Sequence, residues 1–222
     1  MEVHSVGEIT LSDDFGQSIF SIVKALKLRK ILEIGSWDGT GSTQCFIAAL
    51  KEIEDNKELI CLEPNLERFE QLRQVVALYP WIKAHNKNSI SYHQLLDNSF
   101  DAIWTSQYNG MSKHITPPTY EQVSGWFAAD VENIKKMRRG FLDGELQRFD
   151  GVLIDGSEFT GYSEYTLLKN YTNVFFLDDY YCAFKTHRIA KELEKDAEWD
   201  LVAANRYTRN GFAIFKRKQF IT

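Results

Sequence analysis

Between Lys30 and Ser42 the chain reads KILEIGSWDGTGS, and this stretch limits the possible folds more than any other. Ile31, Leu32 and Ile34 form a short apolar run. Gly35, Gly39 and Gly41 interrupt it, and an amphipathic run follows from Thr43 to Leu50. The pattern predicts a buried strand, a glycine loop and a helix. Glycines let such a loop turn sharply and let a ligand lie against bare backbone. The first N–H groups of the following helix add donors and the positive end of its dipole. A nucleoside derivative is the expected ligand. The spacing G-x-x-x-G-x-G differs from the G-x-G-x-x-G of dinucleotide binders, and Glu33, just ahead of the first glycine, would repel a phosphate at close range. A cationic small molecule suits the loop better.

ILEIGSWDGTGS resembles motif I of the class I S-adenosylmethionine-dependent methyltransferases. The cofactor of that family carries a sulfonium and an ammonium and no phosphate. The resemblance implies that Glu33, Gly35, Ser36, Trp37, Gly39 and Gly41 hold it. A second mark comes at ELICLEPN, Glu58 to Asn65, where an apolar run ends in Glu63 and Pro64. A carboxylate at the carboxyl end of a second strand is placed to accept from two ribose hydroxyls. After WIKAH, Trp81 to His85, the resemblance makes Asn88 and Ser89 candidate adenine contacts.

Phe15, Ile19, Ile22, Val23 and Leu26 recur at helical spacing ahead of the first strand, between Ser12 and Leu28. SFDAIW, Ser99 to Trp104, and RFDGVLIDG, Arg148 to Gly156, compete for the fourth strand. The second is preferred because it ends near Asp155 and lies one helix ahead of NVFFLDD, Asn173 to Asp179. Residues 92–147 then form an insertion between the third and fourth strands. Within it Thr119 and Gln122 make a capping box ahead of a helical run from Val123 to Phe141. Tyr108, Met111, His114 and Trp126 are candidates for a substrate pocket or a subunit contact, and Trp126 with Phe127 suggests a homodimer. Helices are expected over Gly161 to Lys169 and Lys185 to Asp196, and a tight hairpin around Arg209, Asn210 and Gly211. The expected fold is α/β and Rossmann-like: a seven-stranded, mostly parallel sheet with a C-terminal antiparallel hairpin strand and helices on both faces. Connection rules leave several strand orders open, and the resemblance supplies the order.

Ligands in open α/β sheets sit beyond the carboxyl ends of the strands, where Asp155, Asp178 and Asp179 stand as candidate oxygen ligands for Mg²⁺. The triad and the LDDY wording, Leu177 to Tyr180, resemble the divalent-metal-dependent O-methyltransferases, both the catechol type and the sugar enzymes of macrolide and aminocoumarin pathways. The catechol type carries Asn at the last position, whereas this chain has Asp179, as the sugar enzymes do. A metal would lower the pKa of an acceptor hydroxyl and orient it, with Asp155 and Glu158 as the catalytic carboxylates. The family's usual base position holds Ser157 and Glu158, and His187 is a second candidate base.

At 222 residues the chain is long enough for one well-buried domain, and no Pro/Gly/Ser-rich linker divides it. Its 26 basic residues against 31 acidic ones, a net charge of -5, argue against nucleic acid as the main partner. No apolar stretch reaches membrane-span length, and a cytoplasmic setting is expected. Cys45, Cys61 and Cys182 lack metal-type spacing and read as buried thiols. The function expected is methyl transfer to a hydroxyl of a small molecule or sugar. The alternatives are a metal-independent methyltransferase and a non-catalytic adenosyl-binding protein.

Overall fold

A computed structural model describes residues 8–54, 56–96, 99–107, 118–144, 146–180 and 185–221. Tyr108, Met111, His114 and Cys182 lie outside them. The strands are β1 (Lys30–Ile34), β2 (Glu58–Leu62), β3 (Ile82–His85), β4 (Phe149–Ile154), β5 (Thr172–Asp178), β6 (Trp199–Asn205) and β7 (Phe212–Arg217). They form one sheet in the order β3-β2-β1-β4-β5-β7-β6. Neighbours from β3 through β5 run parallel, and β7 is antiparallel to both β5 and β6. This is the expected sheet. The chain passes from β1 outward through β2 to β3 and then returns to β4 on the other side of β1, so the direction of winding reverses there. Such a reversal opens a crevice at the carboxyl ends of the strands.

The strand residues alternate between two hydrophobic layers, as a pleated strand buried on both faces requires. Ile31, Leu59, Leu153 and Phe176 face one layer with α1 (Asp14–Leu26), α2 (Ser42–Lys51) and α3 (Leu66–Val76). Leu32, Ile60, Val152 and Phe175 face the other with α6 (Gly161–Leu168) and α7 (His187–Leu193). Asp13 caps α1 by accepting from the Gly16 N–H at 2.9 Å, and Asn65 caps α3. Cys45 and Cys61 are buried thiols, as expected, and burial pushes the Cys45 thiol up to about 12.

Residues 92–147 contribute α4 (Phe100–Gln107) and α5 (Tyr120–Lys136). SFDAIW is thus helical from Phe100 onward, with Ile103 buried. The Thr119–Gln122 capping box is present at the start of α5. Ile103, Val123, Phe127 and Phe159 make a small core beneath these helices. Phe127 is therefore an interior residue, and of the aromatic pair on α5 only Trp126 is exposed. The β6–β7 connection departs from the tight turn expected. Asn205 pairs with Phe212, so residues 206–211 form a longer loop. Among the described residues no helix is long and apolar enough to cross a membrane.

Candidate active site

A cavity of about 880 Å³ opens at the carboxyl ends of β1, β2, β4 and β5. Its floor is the glycine loop. Gly35, at φ +90°, takes the sharp turn after β1, and a Cβ there would lie 2.3 Å from the Asp155 carbonyl oxygen. Only glycine lets the ends of β1 and β4 come this close. The N–H groups of Gly35 and Ser36 both donate to the Leu62 carbonyl, which ties the loop to β2. Gly41, at the head of α2, provides no side-chain cap, and Gly41 and Ser42 line the cavity. The first N–H groups of α2 thus begin at the cavity wall.

The remaining cofactor candidates divide into those that line the cavity and those that build it. Ser36, Trp37, Glu63, Pro64, Asn88 and Ser89 line it. Glu33 and Gly39 do not. Glu33 is fully buried, and its carboxylate accepts from Ser36 Oγ at 2.8 Å, Ser42 Oγ at 2.6 Å and Thr43 Oγ1 at 2.7 Å. It turns inward and fastens the loop to α2. Burial raises its carboxyl above the usual range, against the pull of the three hydroxyls. Gly39 packs toward Leu72 and Val75 instead.

Glu63, only 4 % exposed, accepts from the Trp37 N–H at 3.0 Å and the Asn65 N–H at 2.8 Å, one to each oxygen. A carboxylate has about four acceptor sites, so each oxygen keeps one for a ligand. Trp37 holds a left-handed backbone, φ +52°, and its ring carries the Arg68 guanidinium. A bulky side chain in that region is strained, and such strain collects at binding sites. Asn88 and Ser89 are joined to the end of the insertion, their carbonyls accepting from Phe141 and Leu142 at 2.8 Å.

Two buried charged residues in the lining escaped the sequence reading. Glu164 on α6 accepts from Ser89 Oγ with one oxygen, while the other, fully buried, has no hydrogen-bond partner. Lys185, 7 % exposed, lies two residues ahead of α7. Both lie in segments expected to be helical, where nothing local marks a charged side chain as buried, and only the packed chain reveals them as interior. Asp130 and Asn133 of α5, and Met137 just beyond its end, also line the cavity, so the insertion builds one wall. Trp126 does not line it, nor does His187, whose Nδ1 meets the Tyr180 carbonyl at 3.1 Å. Ser157 donates to Asp130, and half-buried Glu158 stands in the lining beside it.

Asp155, Asp178 and Asp179 do converge, each with an oxygen within 4.8 Å of the others. An all-oxygen donor set suits a hard divalent cation. The carboxylates are nevertheless already paired. Lys185 Nζ lies 2.6 Å from Asp155 Oδ1 and 2.8 Å from Asp179 Oδ2. Arg209 Nη2 lies 3.0 Å from Asp178 Oδ1, and Asn210 Nδ2 donates to Asp179 Oδ1 at 3.0 Å. Burial and the neighbouring carboxylates hold Asp155 well above the ordinary range, against the opposing charge of Lys185. Mg²⁺ binds carboxylate oxygens at about 2.0–2.1 Å. An ion bridging Asp155 and Asp179 would have to occupy the space of the Lys185 ammonium. With that side chain in place the triad does not fit a metal.

No family model matches the chain, and no curated protein does. Solved structures do. An O-methyltransferase from Bacillus cereus in complex with SAH matches at TM-score 0.58 and 13% identity, over 96% of this chain and 84% of that one. TomG from Streptomyces achromogenes, an O-methyltransferase involved in tomaymycin synthesis and solved with SAM, matches at 0.56 and 12%, over 95% and 82%. A methyltransferase from Geobacter sulfurreducens matches at 0.55 and 10%, over 96% and 82%. At such identities the likeness is one of fold, and the chain has the fold of these methyltransferases.

Proposed function

We propose that the protein is an S-adenosylmethionine-dependent O-methyltransferase acting on a hydroxyl of a small molecule or sugar. The observation that carries this reading is Glu63. It is a buried carboxylate at the tip of β2 with an acceptor site left on each oxygen, facing a cavity floored by a glycine loop and an open helix end. The cavity volume lies within the range of small-molecule sites.

When bound, S-adenosylmethionine supplies a sulfonium methyl that a hydroxyl oxygen displaces in line: the O–C bond forms as the C–S bond breaks, sulfur keeps the electron pair and the hydroxyl gives up its proton. Glu63 would accept from the ribose hydroxyls. The loop at Gly35, Ser36, Trp37 and Gly41 and the head of α2 would receive the amino-acid end, while Pro64, Asn88 and Ser89 would flank the adenine. Asp155 and Glu158, on the lining at the tip of β4, are the carboxylates assigned to the acceptor's proton. Asp155, Asp178 and Asp179 are paired with Lys185 and Arg209, so the reading takes no step through a metal ion.

Titration calorimetry with S-adenosylmethionine tests the reading. Glu63→Ala should weaken binding by about 10–100-fold, the worth of hydrogen bonds to a charged group. Equal binding by wild type and variant, or no binding by the folded wild type, would overturn it.

A further inference from the structure

Three carboxylates gathered at adjacent strand ends repel one another unless a cation stands among them. In this chain the cation is part of the fold. Thr186 Oγ1 donates to the Asp178 carbonyl, fixing the segment beside the tip of β5. At Gly161, where α6 begins, a Cβ would lie 3.2 Å from the Lys185 carbonyl oxygen, so the two backbones run close together. From this anchored backbone the Lys185 ammonium bridges Asp155 and Asp179, and Arg209 takes Asp178.

We propose that Lys185 stands where a divalent metal would bind, as the permanent cation of the site, and that it offers its remaining N–H donor to the acceptor oxygen, so that the acceptor is held without a metal ion. An ammonium has three donors, and the two carboxylates use two of them. Lys185 also lines the cavity, so the third donor has a ligand space within reach. The acceptor half of this inference rests on the methyltransferase reading. The exclusion of metal rests on the ion pairs alone. The acceptor site would suit a neutral hydroxylated compound presenting an oxygen lone pair, because a cationic acceptor would meet the same ammonium.

The test uses Mn²⁺ as the probe, read by the loss of its free paramagnetic resonance signal. Wild type should leave the signal intact. Lys185→Ala, checked for folding by circular dichroism, should gain Mn²⁺ affinity about tenfold or more, as expected when a unit charge in contact with the carboxylates is removed. Lys185→Arg should keep the ion out, and the double variant Lys185→Ala with Asp179→Asn should lose the gain. Stoichiometric Mn²⁺ binding by wild type, or no gain in a folded Lys185→Ala, would overturn the proposal. For the acceptor half, turnover of a neutral hydroxylated acceptor should be unchanged by a chelator, and Lys185→Ala should raise its KM; dependence on added Mg²⁺ would refute it. If wild type takes up Mn²⁺ and still binds S-adenosylmethionine, the lysine assignment alone fails. If it excludes Mn²⁺ but binds no S-adenosylmethionine, the functional reading fails and the acceptor half with it, while the exclusion of metal stands.

Discussion

Glu33, Glu63 and Glu164 share a chemistry and differ in task because their surroundings differ. Glu33 has three hydroxyl donors and serves the loop, Glu63 has two backbone donors and spare acceptor sites, and Glu164 keeps one oxygen without a partner. An unpaired buried polar atom is costly, and burial raises the Glu164 carboxyl while the Ser89 hydroxyl pulls it back down. A raised folded pKa means that the native state holds the proton longer than the unfolded chain does. The stability this represents is complete in acid and is lost as pH climbs from the ordinary glutamate range through the raised value. Glu164→Gln removes that loss. Its thermal midpoint should match wild type in acid and exceed it at neutral pH, and a constant offset at every pH would contradict the assignment. The sequence marked Glu63 because it ends a strand. It gave no sign that Glu33 turns inward, because the hydroxyls that meet it are placed only when the loop folds back over β1.

At the scale of elements, the unit from β1 through α2 carries the site. Its loop depends on two strand ends approaching within the width of a glycine. Gly35→Ala would force a side chain into a left-handed backbone at a cost of about 1–3 kcal/mol, and would press on the Asp155 carbonyl as well. The expected outcome is a lower thermal midpoint together with weakened S-adenosylmethionine binding by calorimetry. A variant that kept both would mean the loop tolerates the displacement. This element was legible because its signals are local: apolar residues, glycines and a helical period within a short span. The helix expected from Lys185 to Asp196 was legible only in its interior and begins at His187. Lys185 and Thr186 lie outside it, and their side chains turn toward β4 and β5.

The whole molecule is held by a sheet buried on both faces. Phe176, fully buried in β5, meets Phe46 of α2 edge to face at 5.5 Å. Phe176→Ala should cost about 3–5 kcal/mol, read from the urea midpoint with the slope checked for constancy. A loss under ~1 kcal/mol would mean that the layer refills the space. The alternation of strands and helices, the glycine loop and the acid at the tip of β2 follow from residues close together in the chain, and the sequence by itself determined them. The surroundings of the carboxylates were decided only in three dimensions. Because β7 runs antiparallel beside β5, with Phe212 opposite Asp178, the loop ahead of β7 lies at the tip of β5 and delivers Arg209 and Asn210 to the aspartates. Sequence spacing could place three acids at strand ends, but which cation neutralises them depends on which distant segments the sheet order brings alongside. Coulomb attraction acts on distance in space, whatever the separation along the chain.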